Sequence, residues 1–521
     1  MKIINLPFYL FLFFFPLLFL PLNNGDYDFF KLAFFFSFAS LLFFICLISI
    51  VRRKGFNYSL TGVLLLGLTA VTLLSATFQS PNLITVLTTP LSVSTVFAGT
   101  LFYFALINNK TIDKKVIKII LLVYTITAFA LFAYPFFLGS KPYLLPFSYG
   151  LKITLEVMKD LKSLLLGIGP TNFMTAFTLG KSASINSTPF WNVIFTSSSS
   201  FFLNLITESG LIAGLIYLFI FFKSLPPAKP AASWRAGKLL KSHLPLFFLL
   251  LFQLVFPGNI AVFILTIIFL ALVSGKEIKE VKPRNSVYIF AFPLTIFILI
   301  ALFFTGNWTL AEINYRLSIS ALSANKGTDA YNLQKNAIYY NPRLDRYHVA
   351  LSQTSLVLAN ALSAKKELTA DDRQNIPRLI QQSIEEARLA VELNKTSIIN
   401  WDNLAKIYSS LVNFAAGSDK WAIDADEQKI KLDPQNPNHR IALGNLLFNL
   451  KRYDEAQVQY SEAVSLKSDL PIARYQLAQT FKEQKKYAQS RQELQETLSL
   501  LEVNSPDAQK VQKELEELPN F

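Results

Sequence analysis

The stretch Ser197 to Phe219, SSSSFFLNLITESGLIAGLIYLF, decides the class of the N-terminal half of the chain. It holds enough apolar residues to cross a bilayer as a helix, which takes about 20 of them. It opens with four serines and carries one carboxyl group, Glu208, further along. A carboxyl group at membrane depth is costly and usually faces the bundle interior or a watery cavity, so Glu208 is a candidate functional residue. The alternative interpretation is a protonated Glu208 that hydrogen-bonds a neighbouring helix.

Eight further apolar blocks accompany this stretch, and together they predict an all-α, polytopic membrane domain of about nine spans over residues 1–305. The chain has 521 residues, of which 52% are hydrophobic and 48 are Phe. That composition excludes one soluble domain. The first block lacks a small-residue cleavage site, so we expect an uncleaved helix. The blocks lie near residues 5–22, 29–51, 58–78, 84–107, 116–138, 200–222, 243–256, 260–275 and 286–305, and the short pair around Pro257 leaves open a hairpin that does not span.

The net charge of +14 is explained by membrane topology better than by nucleic-acid binding, because most of the excess lies between apolar blocks. With the N-terminus in the cytoplasm, the inner segments hold most of the basic residues and the short outer segments almost none. This orientation predicts a multi-pass protein of the cytoplasmic membrane, with the loop 139–199 and residues 306–521 outside. The inner basic residues are Lys2, Arg52, Arg53, Lys54, Lys110, Lys114, Lys115, Lys118, Lys223, Lys229, Arg235, Lys238, Lys241, Lys276, Lys279, Lys282 and Arg284. Cys46 is the single cysteine, so no disulfide forms within the chain.

Residues 306–521 are polar and carry a repeat, seen best in ALGNLLF and YDEAQVQYSEA between Ala442 and Ala463. Small and apolar residues recur there at set positions and again 34 residues later. This period, with small residues where helices touch, is typical of tetratricopeptide repeats, whose helical hairpins stack into a solenoid. We expect five units, two clear and three degenerate. The residues that fit are Leu443, Gly444, Ala456, Tyr460 and Ala463, then Leu477, Ala478, Phe481, Ser490, Leu494 and Thr497, and more weakly Trp401, Leu404, Ala405, Tyr408, Ala337 and Pro342.

A solenoid of this kind presents an extended surface, so we expect the repeats to bind a protein, peptide or glycan partner. The alternative is a spacer or packing module. Nothing in the sequence names the ligand.

The outer loop contains an amphipathic segment and a turn-rich breaker. Leu151 and Leu155 recur at helical spacing, with Lys152, Glu156 and Lys159 on another face, which predicts a helix at the outer surface. The loop carries five lysines against two acids, namely Lys141, Lys152, Lys159, Lys162, Lys181, Glu156 and Asp160. This excess indicates either a cationic cradle for an anionic lipid headgroup, such as a pyrophosphate, or a long loop that translocates regardless of charge.

The sequence LLLGIGPTNF (164–173), the loop after it and the span 201–219 resemble the signature region of the O-antigen ligase and polymerase family. Its members are polytopic envelope proteins that take a glycan from a polyprenyl-diphosphate carrier and join it to an acceptor at the outer membrane face. Variants with C-terminal tetratricopeptide repeats occur. Where the family has a His-Asn pair before the span this chain has Ser199 and Ser200, and Lys152 stands nearest to the place of the family's arginine.

This resemblance implies an envelope glycan ligase or polymerase with a polyprenyl-diphosphate-linked glycan as donor. Glu208 would be the base that takes the acceptor proton, with Ser199 beside it. Lysines would stabilise charge on the departing diphosphate. The implied substrate-binding residues are Lys152, Lys159, Gly167, Gly169, Asn172 and Trp191. No cofactor or metal is expected, because the loop lacks a cluster of carboxylates and histidines.

Two other functions remain open from the sequence. One is a different multi-span glycosyltransferase that uses polyprenyl sugars, with Asp26 and Asp28 of the first outer loop as its acidic pair. The other is a non-catalytic scaffold, in which the membrane half anchors the outward repeats. Replacement of the family's histidine favours the scaffold.

Overall fold

The computed structural model describes residues 28–53, 55–109, 144–225, 233–274, 277–281, 286–412 and 414–519. Within these residues the fold is all-α, apart from two strands of three residues each. The chain forms two compact units. The N-terminal unit comprises Met1–Ala176 and Phe195–Tyr347, and the repeat unit comprises Phe177–Ile194 and His348–Phe521.

The N-terminal unit is a helical bundle. Its elements are α1 (Asp28–Arg53), β1 (Phe56–Tyr58), α2 (Leu60–Gln79), α3 (Leu83–Thr88), α4 (Val93–Asn108), α5 (Phe147–Val157), α6 (Leu161–Leu166), α7 (Phe173–Gly180), which ends in the repeat unit, α8 (Phe201–Lys223), α9 (Ser233–Val255), α10 (Ile260–Val273), β2 (Lys279–Val281), α11 (Ser286–Ser323) and α12 (Gly327–Tyr340). Its core is rich in aromatic residues, with the buried rings of Phe35 and Phe102 packed edge to face at 5.7 Å.

Four described helices are long and apolar enough to cross a membrane: Phe29–Arg52, Leu60–Gln79, Phe201–Lys223 and Ala291–Ser323. Three shorter apolar helices, Val93–Asn108, His243–Val255 and Ile260–Val273, accompany them. The predicted blocks 5–22 and 116–138 lie outside the described residues. The sequence therefore located the described apolar helices, and the structure corrects some of their lengths.

The prediction of one continuous span over residues 84–107 is wrong. The chain forms α3 and then a separate α4, with Pro90 in the connection. Proline lacks an N–H donor and disfavours helical geometry in the residue before it, so Thr89 ends the first helix. Leu91 has a left-handed φ of 59° at this corner.

The segments predicted to lie on the inner side meet at one end of the bundle. β1 pairs with β2 in antiparallel register, with Phe56 opposite Val281. The Lys223 ammonium group pairs with the Glu277 carboxylate and donates to the Thr61 hydroxyl group. Which side of a membrane this end of the bundle faces stays a prediction.

The hairpin of α9 and α10 reaches both ends of α8. The Phe201 N–H, at the start of α8, donates to the Phe256 carbonyl group in the hairpin turn at 2.9 Å. At the other end, Nδ1 of His243 lies 3.1 Å from the Ser224 carbonyl oxygen. Although its apolar stretches are short, the hairpin thus runs the length of the neighbouring span.

The helix α11 continues through residue 305, where the hydropathy of the sequence falls, and becomes the first helix of the repeat predicted from residue 311. Ala311 and Ala337 are fully buried between α11 and α12. The Glu312 carboxylate accepts from Nε of Arg316 at 2.9 Å and from the Tyr347 hydroxyl group at 3.0 Å, and it pairs with Arg346. An apolar helix and a repeat helix are therefore parts of one continuous helix.

The repeat unit continues the array with paired helices. They are α13 (Asp345–Ser363), which begins in the N-terminal unit, α14 (Ala370–Leu393), α15 (Ile398–Ser410), α16 (Ser418–Leu432), α17 (Pro437–Asn449), α18 (Tyr453–Leu466), α19 (Pro471–Glu483), α20 (Tyr487–Leu500) and α21 (Pro506–Glu517). The predicted repeat positions are confirmed, because Gly444 packs on the Tyr460 ring and Ala456 and Ala463 are fully buried. The equivalent residues 34 positions later, Leu477, Ala478, Ser490 and Leu494, are also buried.

Candidate functional site

The span α8 is broken at Gly210, two residues after Glu208. Gly210 has φ 83° and ψ 176°, which is not helical. The residue can adopt this geometry because it has no Cβ, and a Cβ there would lie 2.1 Å from the Leu165 carbonyl oxygen. A broken helix leaves backbone groups unpaired, and in a membrane these must find partners inside the protein.

The Gly-rich turn supplies those partners. The Ile168 N–H donates to the Thr207 carbonyl group and the Gly169 N–H to the Glu208 carbonyl group, both at 3.0 Å. The Ser75 hydroxyl group lies 2.8 Å from the Glu208 carbonyl oxygen and 2.5 Å from that of Leu166. The turn around Gly167 and Gly169, singled out as a substrate site, therefore also pairs with the helix break.

The Glu208 carboxyl group is buried at this junction. Its Oε1 accepts from the Phe173 N–H, at the start of α7, at 3.3 Å. The Thr171 backbone and the Asn204 side chain also hydrogen-bond to it. A carboxyl group that accepts from the first N–H groups of a helix acts as a cap on that helix. This is a structural role for Glu208 that stands beside the predicted catalytic one.

The predicted residues Ser199 and Asn172 lie in the same unit as Glu208. The Asn172 side chain donates to the Ile168 carbonyl group at 3.0 Å and so belongs to the Gly-rich turn. The hydroxyl groups of Ser198 and Ser199 are buried and have no hydrogen-bond partner among the described residues. Asn204, which the sequence did not single out, accepts from the Ser198 N–H at 2.9 Å and connects this corner to Glu208.

The loop lysines do not form one cradle. Lys159 is exposed and pairs with Glu156 at 2.6 Å on the same face. Lys152 lies with its ammonium group 5.7 Å from the centre of the Tyr149 ring. The predicted amphipathic helix ends at Val157, and Leu151 and Leu155 are exposed on it. Lys141 lies outside the described residues.

Lys181 has a different partner, because residues 177–194 fold as part of the repeat unit. We call Phe177–Ile194 the docked segment. The Lys181 ammonium group lies 2.8 Å from Oδ1 and 3.0 Å from Oδ2 of Asp433, between α16 and α17. Both side chains are almost completely buried, and His439 and Asn436 also contact the Asp433 carboxylate.

The rest of the docked segment is fixed by hydrogen bonds to the turns between repeats. The Asn186 side chain donates to the carbonyl groups of Gln435 and Leu466, at 2.8 and 3.0 Å. The Lys467 ammonium group donates to the Asn186 carbonyl group and lies over the Trp191 ring. Trp191, predicted to bind substrate beside Glu208, is therefore in the repeat unit and packs against its core.

A pocket of about 510 Å³ lies in the repeat unit, between α14 and α16 and above α15. Its apolar and aromatic lining includes Leu404, Tyr408, Trp401 and Trp421. Trp421 is 56% exposed and its ring stacks on that of Tyr408, with centroids 6.3 Å apart. The repeat pattern in the sequence predicts only packing positions for Trp401 and Tyr408 and gives no signal for Trp421.

The buried charges beside this pocket are paired. The Lys429 ammonium group lies 2.8 Å from the Asp426 carboxylate and 2.9 Å from that of Asp402. Burial acts to raise the pKa of Asp402, but Lys429 and Lys406 outweigh it and lower that pKa. Burial also acts to raise the pKa of Asp426, and there Lys429 does not outweigh it, so that pKa is raised. In the described part of the chain, no group of three His, Cys, Asp or Glu side chains is placed to hold a metal ion.

The comparison with protein families agrees with the repeat architecture. Residues 444–485 match the TPR repeat family. Among solved structures, the MamA protein is 15% identical with a TM-score of 0.30, covering 37% of this chain and 91% of its own. TTC0263, a thermophilic TPR protein of Thermus thermophilus, is 16% identical with a TM-score of 0.28, covering 40% and 97%.

A third solved structure, YrrB, described as a TPR protein with an unusual peptide-binding site, is 12% identical with a TM-score of 0.30 and covers 40% of this chain and 92% of its own. No curated protein matches the chain. The C-terminal region of this all-α protein thus carries tetratricopeptide repeats. It follows in the chain an N-terminal region with several helices apolar enough to cross a membrane.

Proposed function

We propose that the protein is a membrane-anchored repeat scaffold that recruits a protein or peptide partner at the outer face of the cytoplasmic membrane. The observation that carries this proposal is the docked segment. A loop that interrupts the membrane half is built into the repeat unit through the buried pair of Lys181 and Asp433. The chain therefore joins the two units at three places, after Ala176, Ile194 and Tyr347.

The same observation supports the proposed topology. The docked segment must lie on the same side of a membrane as the repeats that surround it. Between them the chain passes through α8, the hairpin of α9 and α10, and α11, which is an even number of crossings whether the hairpin spans or not. The positive-inside rule independently puts both outside.

The docked segment also argues against a catalytic role for the second part of the outer loop. Lys181 and Trp191, counted in the sequence as parts of a cationic, aromatic substrate site, are engaged with the repeats. Lys159 is paired with Glu156. Lys152 and the unpartnered hydroxyl groups of Ser198 and Ser199 lie in the same unit as Glu208, but the Glu208 contacts that the structure gives are with Phe173, Thr171 and Asn204.

A second candidate function is glycan transfer from a polyprenyl-diphosphate carrier, as the family resemblance implies. The observation that favours it is a buried carboxyl group beside a broken span, with the unpartnered hydroxyl groups of Ser198 and Ser199 in the same unit. Broken spans with free backbone groups often form binding sites in membrane proteins. Here the Gly-rich turn satisfies most of those groups, so we rank this function second.

Complementation of depleted cells separates the two functions. Glu208→Gln keeps an oxygen that can accept from the Phe173 N–H but removes a titratable base. The scaffold proposal predicts that Glu208→Gln restores growth and envelope integrity, whereas a chain ending after Tyr347 does not. If the truncated chain restored both and Glu208→Gln failed, the scaffold proposal would be wrong.

A further inference from the structure

The pocket between α14 and α16 has the features of a binding site rather than of a packing defect. Trp421 is more than half exposed and stacks on the buried Tyr408 ring, and Trp401 on α15 also lines the pocket. Exposed tryptophan over an apolar floor is the arrangement that most often carries binding energy at protein interfaces. A volume of about 510 Å³ falls in the range of ligand pockets.

The rim of the pocket is charged with both signs. Arg388 on α14 and Glu427 on α16 each lie five residues before the end of their helix, and both line the pocket. Glu392 is the penultimate residue of α14 and Lys431 is the penultimate residue of α16. At this position α14 therefore carries the negative charge and α16 the positive one. Since both helices pack on α15, the two walls present opposite charges at matching positions.

Arg388 acts electrostatically on the Tyr408 hydroxyl group, but the rim charges are otherwise open to a ligand. None of the six charged residues that line the pocket forms an ion pair with another described residue. They are Arg388, Glu392, Lys395, Asp424, Glu427 and Lys431. By contrast, the neighbouring charges of Asp402, Asp426 and Lys429 are paired beneath the surface. The rim therefore offers three cations and three anions to a ligand.

We propose that this pocket binds a peptide segment that inserts one aromatic side chain between Trp401 and Trp421 and carries charges of both signs beside it. The balance of charge disfavours a polyanion, and a neutral glycan would cover the rim charges without pairing them. The ligand class rests on the proposed scaffold function and names the partner chemistry of that function.

Binding of a designed peptide to the full-length protein in nanodiscs tests this proposal. The probe is fluorescein-labelled Ser-Arg-Glu-Phe-Arg-Glu-Ser, measured by fluorescence anisotropy. Two comparison peptides replace the Phe by Ala or all four charged residues by Gln. We expect the probe to bind at least tenfold more tightly than either comparison peptide. A fourth peptide carries benzoylphenylalanine in place of Phe and is expected to cross-link within residues 388–431.

Matched variants localise the binding. Trp421→Ala is expected to weaken binding at least tenfold, and its exposed position protects the fold from the change. Phe414→Ala is the control, because this aromatic side chain is 86% exposed and does not line the pocket. Equal binding of all three peptides, no binding at all, or binding that Trp421→Ala leaves unchanged would each overturn the pocket assignment. None of those results would decide the scaffold proposal, which the complementation of depleted cells tests separately.

Discussion

The Lys181 ammonium group lies 2.8 Å from the Asp433 carboxylate, with the two side chains 2% and 0% exposed. The residues are 252 positions apart in the chain, and they join the loop before α8 to the turn between two repeats. A buried pair is a weak source of net stability, but leaving either charge alone in the interior is costly. The pair thus specifies how the docked segment sits on the repeats.

The first prediction concerns this pair. We expect Lys181→Met or Asp433→Asn to destabilise the repeat unit by about 3–5 kcal/mol, because each leaves an uncompensated buried polar group or charge. The double variant Lys181→Met with Asp433→Leu is expected to cost less than the sum of Lys181→Met and Asp433→Leu measured singly. Hydrogen exchange of residues 177–194 and 433–470, followed by mass spectrometry, measures the effect.

Lys406→Met serves as the control for that series. Lys406 pairs with Asp402 but is 73% exposed, so its loss is expected to cost less than about 1 kcal/mol. Protection of the docked segment that stays unchanged in Lys181→Met would show that the pair does not hold it.

The second prediction concerns the broken span. Gly210→Ala is expected to lower the yield and thermal stability of the purified protein, by more than about 2 kcal/mol. The new Cβ would lie 2.1 Å from the Leu165 carbonyl oxygen in a left-handed backbone conformation. Gly167→Ala places a Cβ 2.3 Å from the Glu208 carbonyl carbon and should behave similarly. Fluorescence-detected size exclusion after heating measures both.

Gly306→Ala is the matched control, since it lies in α11 with open space where its Cβ would be. It should be neutral or stabilising by up to about 1 kcal/mol. If Gly210→Ala were as stable as Gly306→Ala, α8 would not be broken in the folded protein.

The break itself was not predictable from the sequence. Hydropathy and the small residues around Gly210 predict a continuous helix with a close-packed side. The break is stabilised by the N–H groups of Ile168 and Gly169, which donate to the Thr207 and Glu208 carbonyl groups from another part of the chain. By contrast, the two clear repeats were predictable, because Gly444, Ala456 and Tyr460 are followed 34 residues later by Ala478, Ser490 and Leu494, which are buried in the same way.

The docked segment was not predictable from the sequence for a related reason. Lys181 and Trp191 look like a free charge and an interfacial aromatic when only their neighbours in the chain are considered. Their partners, Asp433 and Lys467, lie far away in sequence and show no periodic signal. Likewise, Trp421 lies in a degenerate repeat, where the positions that form the pocket do not follow the consensus.

The third prediction concerns topology. After Cys46→Ala, a cysteine at the exposed Ala183 or Ser461 is expected to react in intact cells with a membrane-impermeant maleimide. A cysteine at the exposed Lys279 should react only after the membrane is permeabilised. Asn186 is unsuitable because it is buried against the repeats. Labelling of Lys279→Cys in intact cells, or protection of Ala183→Cys, would reverse the proposed orientation.

The fourth prediction concerns pH. Since the pKa of Asp402 is lowered from its ordinary value of 3.8, its ionised form stabilises the fold above about pH 4, and this contribution is lost as the pH falls through the lower folded value. Asp402→Asn should therefore cost about 1 kcal/mol at pH 7, a modest figure because the carboxylate is 34% exposed. The melting-temperature difference between wild type and variant should shrink below pH 4.

Asp426, whose pKa shifts in the opposite direction, is coupled to Asp402, because the Asp402 carboxylate helps to raise that pKa. The same comparison is therefore repeated in an Asp426→Asn background. Asp424→Asn, at an exposed position without an ion pair to the described residues, is the control for the change of side chain. A pH-independent penalty for Asp402→Asn would show that Lys429 does not act on its ionisation.

The most direct test of the scaffold proposal is the amount of polyprenyl-diphosphate-linked glycan in native membranes after the protein is depleted. The proposal predicts an unchanged carrier-linked pool, because partner recruitment by the repeats consumes no glycan donor. An accumulation of loaded carrier that the wild-type chain reverses and Glu208→Gln does not would contradict it, and would establish glycan transfer at Glu208 instead.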